Sequence, residues 1–188
     1  MSEFVVPFPS FWNFSLALYG RSGSSERCLA LQNDHGFDVN LVLFCIWVGQ
    51  NWGSMPTSIR AESIEFSTNW GQQVVQPLRK LRTDMKGNTL LSKQLPGDEY
   101  EEFRGAVKKL ELAAEKKQQA FLESLFSDYQ QSSGSGAEAS LENLRDVSQA
   151  LDIECNTEIQ EHFNALVDAS EEIRLEEKCR EEETSRQK

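Results

Sequence analysis

Residues 41–48, Leu-Val-Leu-Phe-Cys-Ile-Trp-Val, are apolar without interruption. A helix that is apolar all round has no face to offer water, so neighbouring elements must pack on every side of it. At ~1.5 Å per residue the run, with its flanks, would span only about 15 Å, half the depth of a bilayer core. It is therefore expected to be the central helix of a small globular domain and not a membrane span. The sequence enters it through His35, Gly36 and Phe37, with Asp38 placed to cap the first turn, and leaves it through Gly49.

The rest of the chain reads as helices arranged around that centre, and no strand pattern competes. The expected fold is all-α: a single helical bundle around a short buried apolar helix, with an acidic helical C-terminal extension. Residues 1–9, punctuated by Pro7 and Pro9, form an extended N-terminal arm, and residues 10–130 form the core domain. Ser10 is placed to cap a helix over 11–19 that Gly20 stops. Cys28, Leu31 and His35 share a face of the next. Trp70, Val74, Leu78, Leu81 and Met85 form an amphipathic stripe, with Pro77 inside it expected to kink the helix. The longest helix, from about residue 98 to 129, carries a seam of Phe103, Val107, Leu110, Ala114, Phe121 and Leu125.

Residues 131–137, rich in Ser and Gly, read as a linker. Beyond it, residues 138–188 are expected to form two helices, capped by Ser140 and by a Thr157/Gln160 box, before a charged tail that frays from Glu171. Whether this extension packs on the core or binds a partner stays open at this point.

Charge divides the chain in the same place. Residues 1–96 carry 8 Lys/Arg against 7 Asp/Glu, whereas residues 97–188 carry 11 against 23. A net charge of −11 repels phosphate backbones, which excludes a general nucleic-acid-binding role. The four cysteines have no C-x-x-C spacing and two fall in apolar patterns, as in a reducing compartment. With no signal-like or lipidation motif at residue 1 onward, the expected localisation is cytoplasmic.

Four pieces of the sequence together resemble a known family: Phe11-Trp-Asn-Phe-Ser-Leu-Ala-Leu-Tyr19, Cys28-Leu-Ala-Leu-Gln32, His35-Gly-Phe-Asp-Val-Asn-Leu41, and Trp70 followed by Val74-Val-Gln-Pro-Leu-Arg-Lys-Leu-Arg82. Lys109-Leu-Glu-Leu-Ala-Ala-Glu115 adds to the likeness. The family is a bacterial, largely proteobacterial, set of conserved hypothetical proteins described only as a domain of unknown function. The resemblance covers roughly residues 8–128 and implies a cytoplasmic helical protein. It implies no reaction, ligand or partner.

Three polar groupings are candidates for function. His35, Asp38 and Asn40 stand beside the apolar run, where His35 would be a base or ligand oriented by a carboxylate. The local reading, which leads, makes His35 a helix-end residue, Asp38 a cap and Asn40 an exposed first-turn residue. Arg79, Arg82 and Lys86 lie at i, i+3 and i+7 and would suit an anion. The alternative, which leads, is ion pairing across an antiparallel turn, with Arg82 opposite Glu102 and Lys86 opposite Asp98. That register leaves Glu111 and Glu115 without a cation, so Arg60 or a bound partner would have to approach them.

No metal-ligand spacing, nucleotide-binding loop or nucleophile motif is present, and neither metal nor cofactor is expected. The leading functional expectation is a non-enzymatic protein-binding or adaptor module, with a protein partner or a homodimer, no nucleic acid and no membrane. The alternative is an enzyme or small-ligand-binding protein. Its apolar pocket would be lined by Trp12, Trp47 and Trp70 and bounded by His35, Asn40 and Arg79.

Overall fold

The computed structural model describes residues 10–95, 98–127, 129 and 134–186, with the backbone alone at 178 and 180–186. The 1–9 arm and part of the 131–137 linker lie outside the described residues. All regular structure among the described residues is helical. No helix among them is long and apolar enough to cross a membrane.

Helix α3 (Val39–Trp52) is the centre, and every residue from Asn40 to Asn51 is buried. Asp38 caps it by accepting the Leu41 N–H at 2.9 Å. Against α3 lies α1 (Phe11–Tyr19), whose Phe11 ring stands 5.5 Å from Phe44 and 5.3 Å from Trp47. Helix α2 (Ser24–Asn33) buries Cys28 and Leu31. Gly36, at φ 75°, supplies the left-handed turn between α2 and α3.

Gly49 does not end α3. It lies inside the helix because α8 (Ala137–Ala150) crosses there at backbone distance. A Cβ on Gly49 would sit 2.4 Å from the Ser140 Cα and N. The Gly136 N–H reaches the Gly49 carbonyl at 2.7 Å, and Ser140 Oγ donates to the Ile46 carbonyl at 3.2 Å. Ser140, expected as a cap, is thus a buried interior residue of α8. Asn143 ties the far end of α3, donating to the carbonyls of Cys45 and Gly53 and accepting the Met55 N–H.

Helix α9 (Thr157–Arg186) completes this side. Its cap is Asn156, which accepts the Ile159 N–H at 2.9 Å, and not Thr157. Leu144, Val147, Ile159, Phe163, Leu166 and Ile173 belong to the same apolar cluster as α3. The apolar stripes of the last two helices are therefore spent on the core. The charged stretch expected to fray from Glu171 remains helical to Arg186.

The other side of α3 is built by α4 (Thr57–Trp70), a π-helical turn (Gly71–Val75), α5 (Gln76–Lys86), α6 (Thr89–Gln94) and α7 (Glu99–Ser124). Pro77 cannot donate to a preceding carbonyl and its ring crowds the turn before it. The backbone answers by widening ahead of the proline, where the Gln76 N–H reaches back five residues to the Gly71 carbonyl. That extra residue shifts the phase of the stripe: Val75 is buried in place of Val74, and Leu81 is 46% exposed.

Helices α5 and α7 run antiparallel about the register expected. Trp70 Nε1 donates to the Ala114 carbonyl and the Tyr100 hydroxyl to the Met85 carbonyl, both at 3.0 Å. Of the expected α7 seam, Val107 and Ala114 are buried and Phe121 and Leu125 pack partly buried against the core, but Phe103 and Leu110 are exposed. Helix α7 buries Tyr100, Val107, Glu111, Ala114, Gln118, Gln119 and Leu122. Four of these are polar or carry a polar tip, which a purely apolar seam cannot anticipate.

Candidate functional site

The buried polar face of α7 looks into a groove of about 1280 Å³ between α1, the end of α2, the π turn, α5 and α7, with the first turn of α3 at its floor. Trp12, Ser15, His35, Asp38, Asn40, Gly71, Arg79, Glu111 and Glu115 are among its lining residues. Leu16, Leu29 and Leu112 line it too and are exposed, so its rim is apolar. Of the three tryptophans expected there, Trp12 takes part. Trp47 packs on Phe11, Phe44 and Trp52, and Trp70 stacks on Phe66 at 5.9 Å.

One wall is an ion-pair cluster that joins two of the sequence-level groupings. Arg79 Nε donates to Glu111 Oε1 at 3.1 Å, Nη2 to Glu115 Oε1 at 2.7 Å and Nη1 to Gln32 Oε1 at 2.6 Å. Arg82 Nε pairs with Glu111 Oε2, and its Nη2 reaches Oε1 at 3.2 Å. Glu111 and Glu115 are thus not unpaired: their cations are the arginines that had been assigned to an anion. The anion site is likewise not formed, because those guanidinium groups are neutralised from within, and Lys86 stands exposed on the outer face. The expected pairs, Arg82 with Glu102 and Lys86 with Asp98, give way because the arginines reach diagonally into the groove instead of straight across. Arg60, the other proposed cation, pairs with Asp146 on α8.

The environments of the carboxyls differ. Burial works to raise Glu111, but hydrogen bonds from Arg82 and Arg79 outweigh it and hold its carboxyl below the usual range. Glu115, one turn along, goes the other way: burial raises it, and Arg79 offsets only part. Burial also raises Asp38, against hydrogen bonds from Gln118 and Leu41.

The floor is a relay of side-chain amides. Gln119 Nε2 donates to Asn40 Oδ1 at 2.7 Å, Asn40 Nδ2 to Gln118 Oε1 at 2.9 Å, and Gln118 Nε2 to Asp38 Oδ1 at 3.1 Å. Asn40 is accordingly a buried link between α3 and α7, not an exposed first-turn residue, because α7 covers it. Asp38 is both cap and end of the relay. Its Oδ2 lies 3.6 Å from where a Gly71 Cβ would stand, so the π turn closes against it.

His35 leaves this group and meets α9. Its Nε2 lies 3.7 Å from Glu158 Oε2, and its ring centroid is 6.3 Å from that of His162. The three side chains bring ligand atoms within 4.8 Å of one another, a grouping that sequence spacing did not suggest. However, Arg27 Nη1 stands 3.4 Å from His162 Nδ1. A guanidinium only donates, so Nδ1 accepts and the proton sits on Nε2, where a metal would need a lone pair. His35 Nε2 and His162 Nε2 are both buried without a hydrogen-bond partner among the described residues. Neither buried cysteine is activated: burial pushes the Cys28 thiol up to about 12 and raises Cys45 as well.

Besides His35 Nε2, which turns to Glu158, three buried polar atoms on groove-lining residues have no hydrogen-bond partner among the described residues: Ser15 Oγ, Ser67 Oγ and Gln119 Oε1. Sequence reasoning passed over them, and over Gln32, Gly71 and Gln118. The only signal that could have found any was the pairing of Gly71 with Pro77, which points to a distorted turn.

Residues 10–122 match the family described as Protein of unknown function (DUF2390). No curated protein and no solved structure matches the chain.

Proposed function

The chain belongs to the DUF2390 family, and from the groove we propose that it is a binding protein for a small organic molecule. One observation carries this reading: three buried polar atoms without hydrogen-bond partners among the described residues belong to residues that line a single groove with an apolar rim. Leaving a buried polar group unmade costs about 1–3 kcal/mol each, and a ligand that supplies the missing partners recovers it. Convergent polar groups within a largely apolar concavity are the usual make-up of small-molecule sites.

Acid–base chemistry on the bound molecule is a second reading. It rests on Glu111 and Glu115, consecutive turns of one helix whose carboxyls are pushed in opposite directions.

Native mass spectrometry of untagged protein, purified gently from its own host, tests the proposal. A retained mass below about 1 kDa, within what such a pocket holds, is the expected result, and it should vanish in Gln119→Leu. A stoichiometric second protein on a chain with no small mass would replace this reading with the adaptor. Conversion of the retained molecule on incubation would establish the enzyme.

A further inference from the structure

The relay on the groove floor has a direction, and that direction is fixed from one end. The Leu41 N–H can only donate, so Asp38 Oδ1 is an acceptor. Gln118 must then turn its Nε2 to Asp38 and its Oε1 to Asn40. Asn40 must answer with Nδ2, which leaves Oδ1 to accept from Gln119 Nε2. Each amide has two ends, so the last is forced to leave its carbonyl, Gln119 Oε1, as the unmatched group at the wall. The wall has no freedom to present a donor there instead.

The charge around this acceptor has a sign. Asp38, Glu111 and Glu115 face Arg79 and Arg82, and both guanidinium groups are already engaged by the two glutamates. Asp38 takes its hydrogen bonds from amide and backbone donors, with Arg79 acting on it only at longer range. Lys108, the remaining cation of the lining, is exposed to solvent, as is Lys116, whose ammonium stands 5.1 Å from the Trp12 ring centroid. Resting on the small-ligand reading, we propose that the groove takes an organic cation bearing N–H donors, an amine or amidine on an apolar body. An N–H meets Gln119 Oε1, the positive charge balances Asp38, and the body lies along Trp12, Leu16, Leu29 and Leu112.

The upward shift of Asp38 and Glu115 agrees with this, since both are carboxyls to which an added cation is favourable. Gln119 Oε1 is sealed from solvent in this conformation, so the ligand reaches it as the wall gives slightly.

Calorimetric titration of the full chain at neutral pH with three probes tests the proposal. Benzamidine carries a cation with N–H donors, phenyltrimethylammonium a cation without them, and benzoate the opposite charge. Benzamidine should bind, and phenyltrimethylammonium should bind at least about tenfold more weakly for want of a hydrogen bond in which one partner is charged. Benzoate should not bind. Gln119→Leu should erase the preference between the two cations.

Equal binding of the two cations, or tighter binding of benzoate, overturns the proposal. If no probe binds while native mass spectrometry finds a retained small molecule, this inference falls and the groove reading stands. If no probe binds and the chain is bare, both fall.

Discussion

The two ends of α3 are packed by different physics. Its C-terminal half meets α8 and α9 through aromatic and aliphatic side chains, at one point with backbone against backbone. Its N-terminal turn meets α7 through a carboxylate and three amides that hold one another by hydrogen bonds. The first side is closed, combining apolar volume with buried polar ties from Ser140, Asn143 and Gln50. The second is held by a directed chain of side-chain amides. Buried atoms without a hydrogen-bond partner among the described residues occur on both sides: Ser15 Oγ, Ser67 Oγ and Gln119 Oε1 at the groove, Gln50 Oε1, Glu171 Oε1 and Arg174 Nε opposite it. A protein that needed only stability would gain little from the second arrangement, because burying polar groups returns at best about 1 kcal/mol per hydrogen bond.

Removing the closed side outright should have the largest effect. A chain ending at residue 131 loses α8 and α9 and exposes α3 along one flank, so its far-UV circular dichroism should show no cooperative thermal transition. A stable, cooperative fragment would mean that the groove side is a self-sufficient domain, and the contrast drawn above would collapse.

Phe163→Ala is next. Its ring is fully buried and packs edge-on to Phe37 at 5.5 Å. The substitution should cost about 3–5 kcal/mol by urea denaturation, as is usual for phenylalanine in a core. A cost below about 1 kcal/mol, the range of a surface site, would place α9 outside the core.

Gly49→Ala tests the backbone crossing. The new methyl meets the Ser140 backbone and not a flexible side-chain tip, so α3 and α8 must part. A loss of about 1–3 kcal/mol is expected from such overpacking, despite alanine's better helix propensity. A gain in stability would show that the helices stand further apart.

The groove side should respond least to such substitutions but most clearly to pH. Asp38 and Glu115 are raised in the folded chain, so they contribute stability below the unfolded carboxylate range that is lost as pH rises through their folded values. Glu111 is lowered and contributes in the opposite sense: its stability is present above its unfolded value and lost as pH falls. Asp38→Asn keeps a competent cap, because asparagine accepts the same backbone bond. It should therefore reduce the decline in urea midpoint between mildly acidic and neutral pH without abolishing it, since Glu115 remains. An unchanged slope would remove Asp38 from the titrating groups.

The contrast also explains what could be read from the sequence. The closed side announces itself: 41–48 is apolar, Asp38 stands where a cap belongs, and the Leu/Phe spacing in 141–173 is helical. The groove side was read as parts and not as a whole. Arg79 and Glu111 were each noticed, one as an anion binder and the other as an unpaired acid, and each was the other's partner. The reason is distance along the chain. Asn40 and Gln118 are 78 residues apart, and polar residues on a helix face default to solvent when only one helix is in view. The π turn added a second obstacle, since one inserted residue rotates every later side chain of α5 relative to an ideal helix. Ser140 failed as a cap for a related reason: a small polar residue before an apolar stripe also suits a close helix crossing.

The Gly49 crossing carries a cost in time. Asn143 and the Gly53 carbonyl it holds are 90 residues apart, and the Ser140 contact to Ile46 spans 94. At a synthesis rate of ~5–20 residues per second, the most apolar helix of this protein leaves the ribosome roughly 5–20 s before the helix that covers it exists. During that interval Leu41 to Val48 has α1, α2 and, as they appear, α4 and α7 on its other flanks, but nothing on the side that α8 and α9 cover. The ordering of the gene thus hands its centre to whatever holds nascent chains, and a variant that merely slowed the docking of α8 would be seen first as aggregation and only later as lost stability.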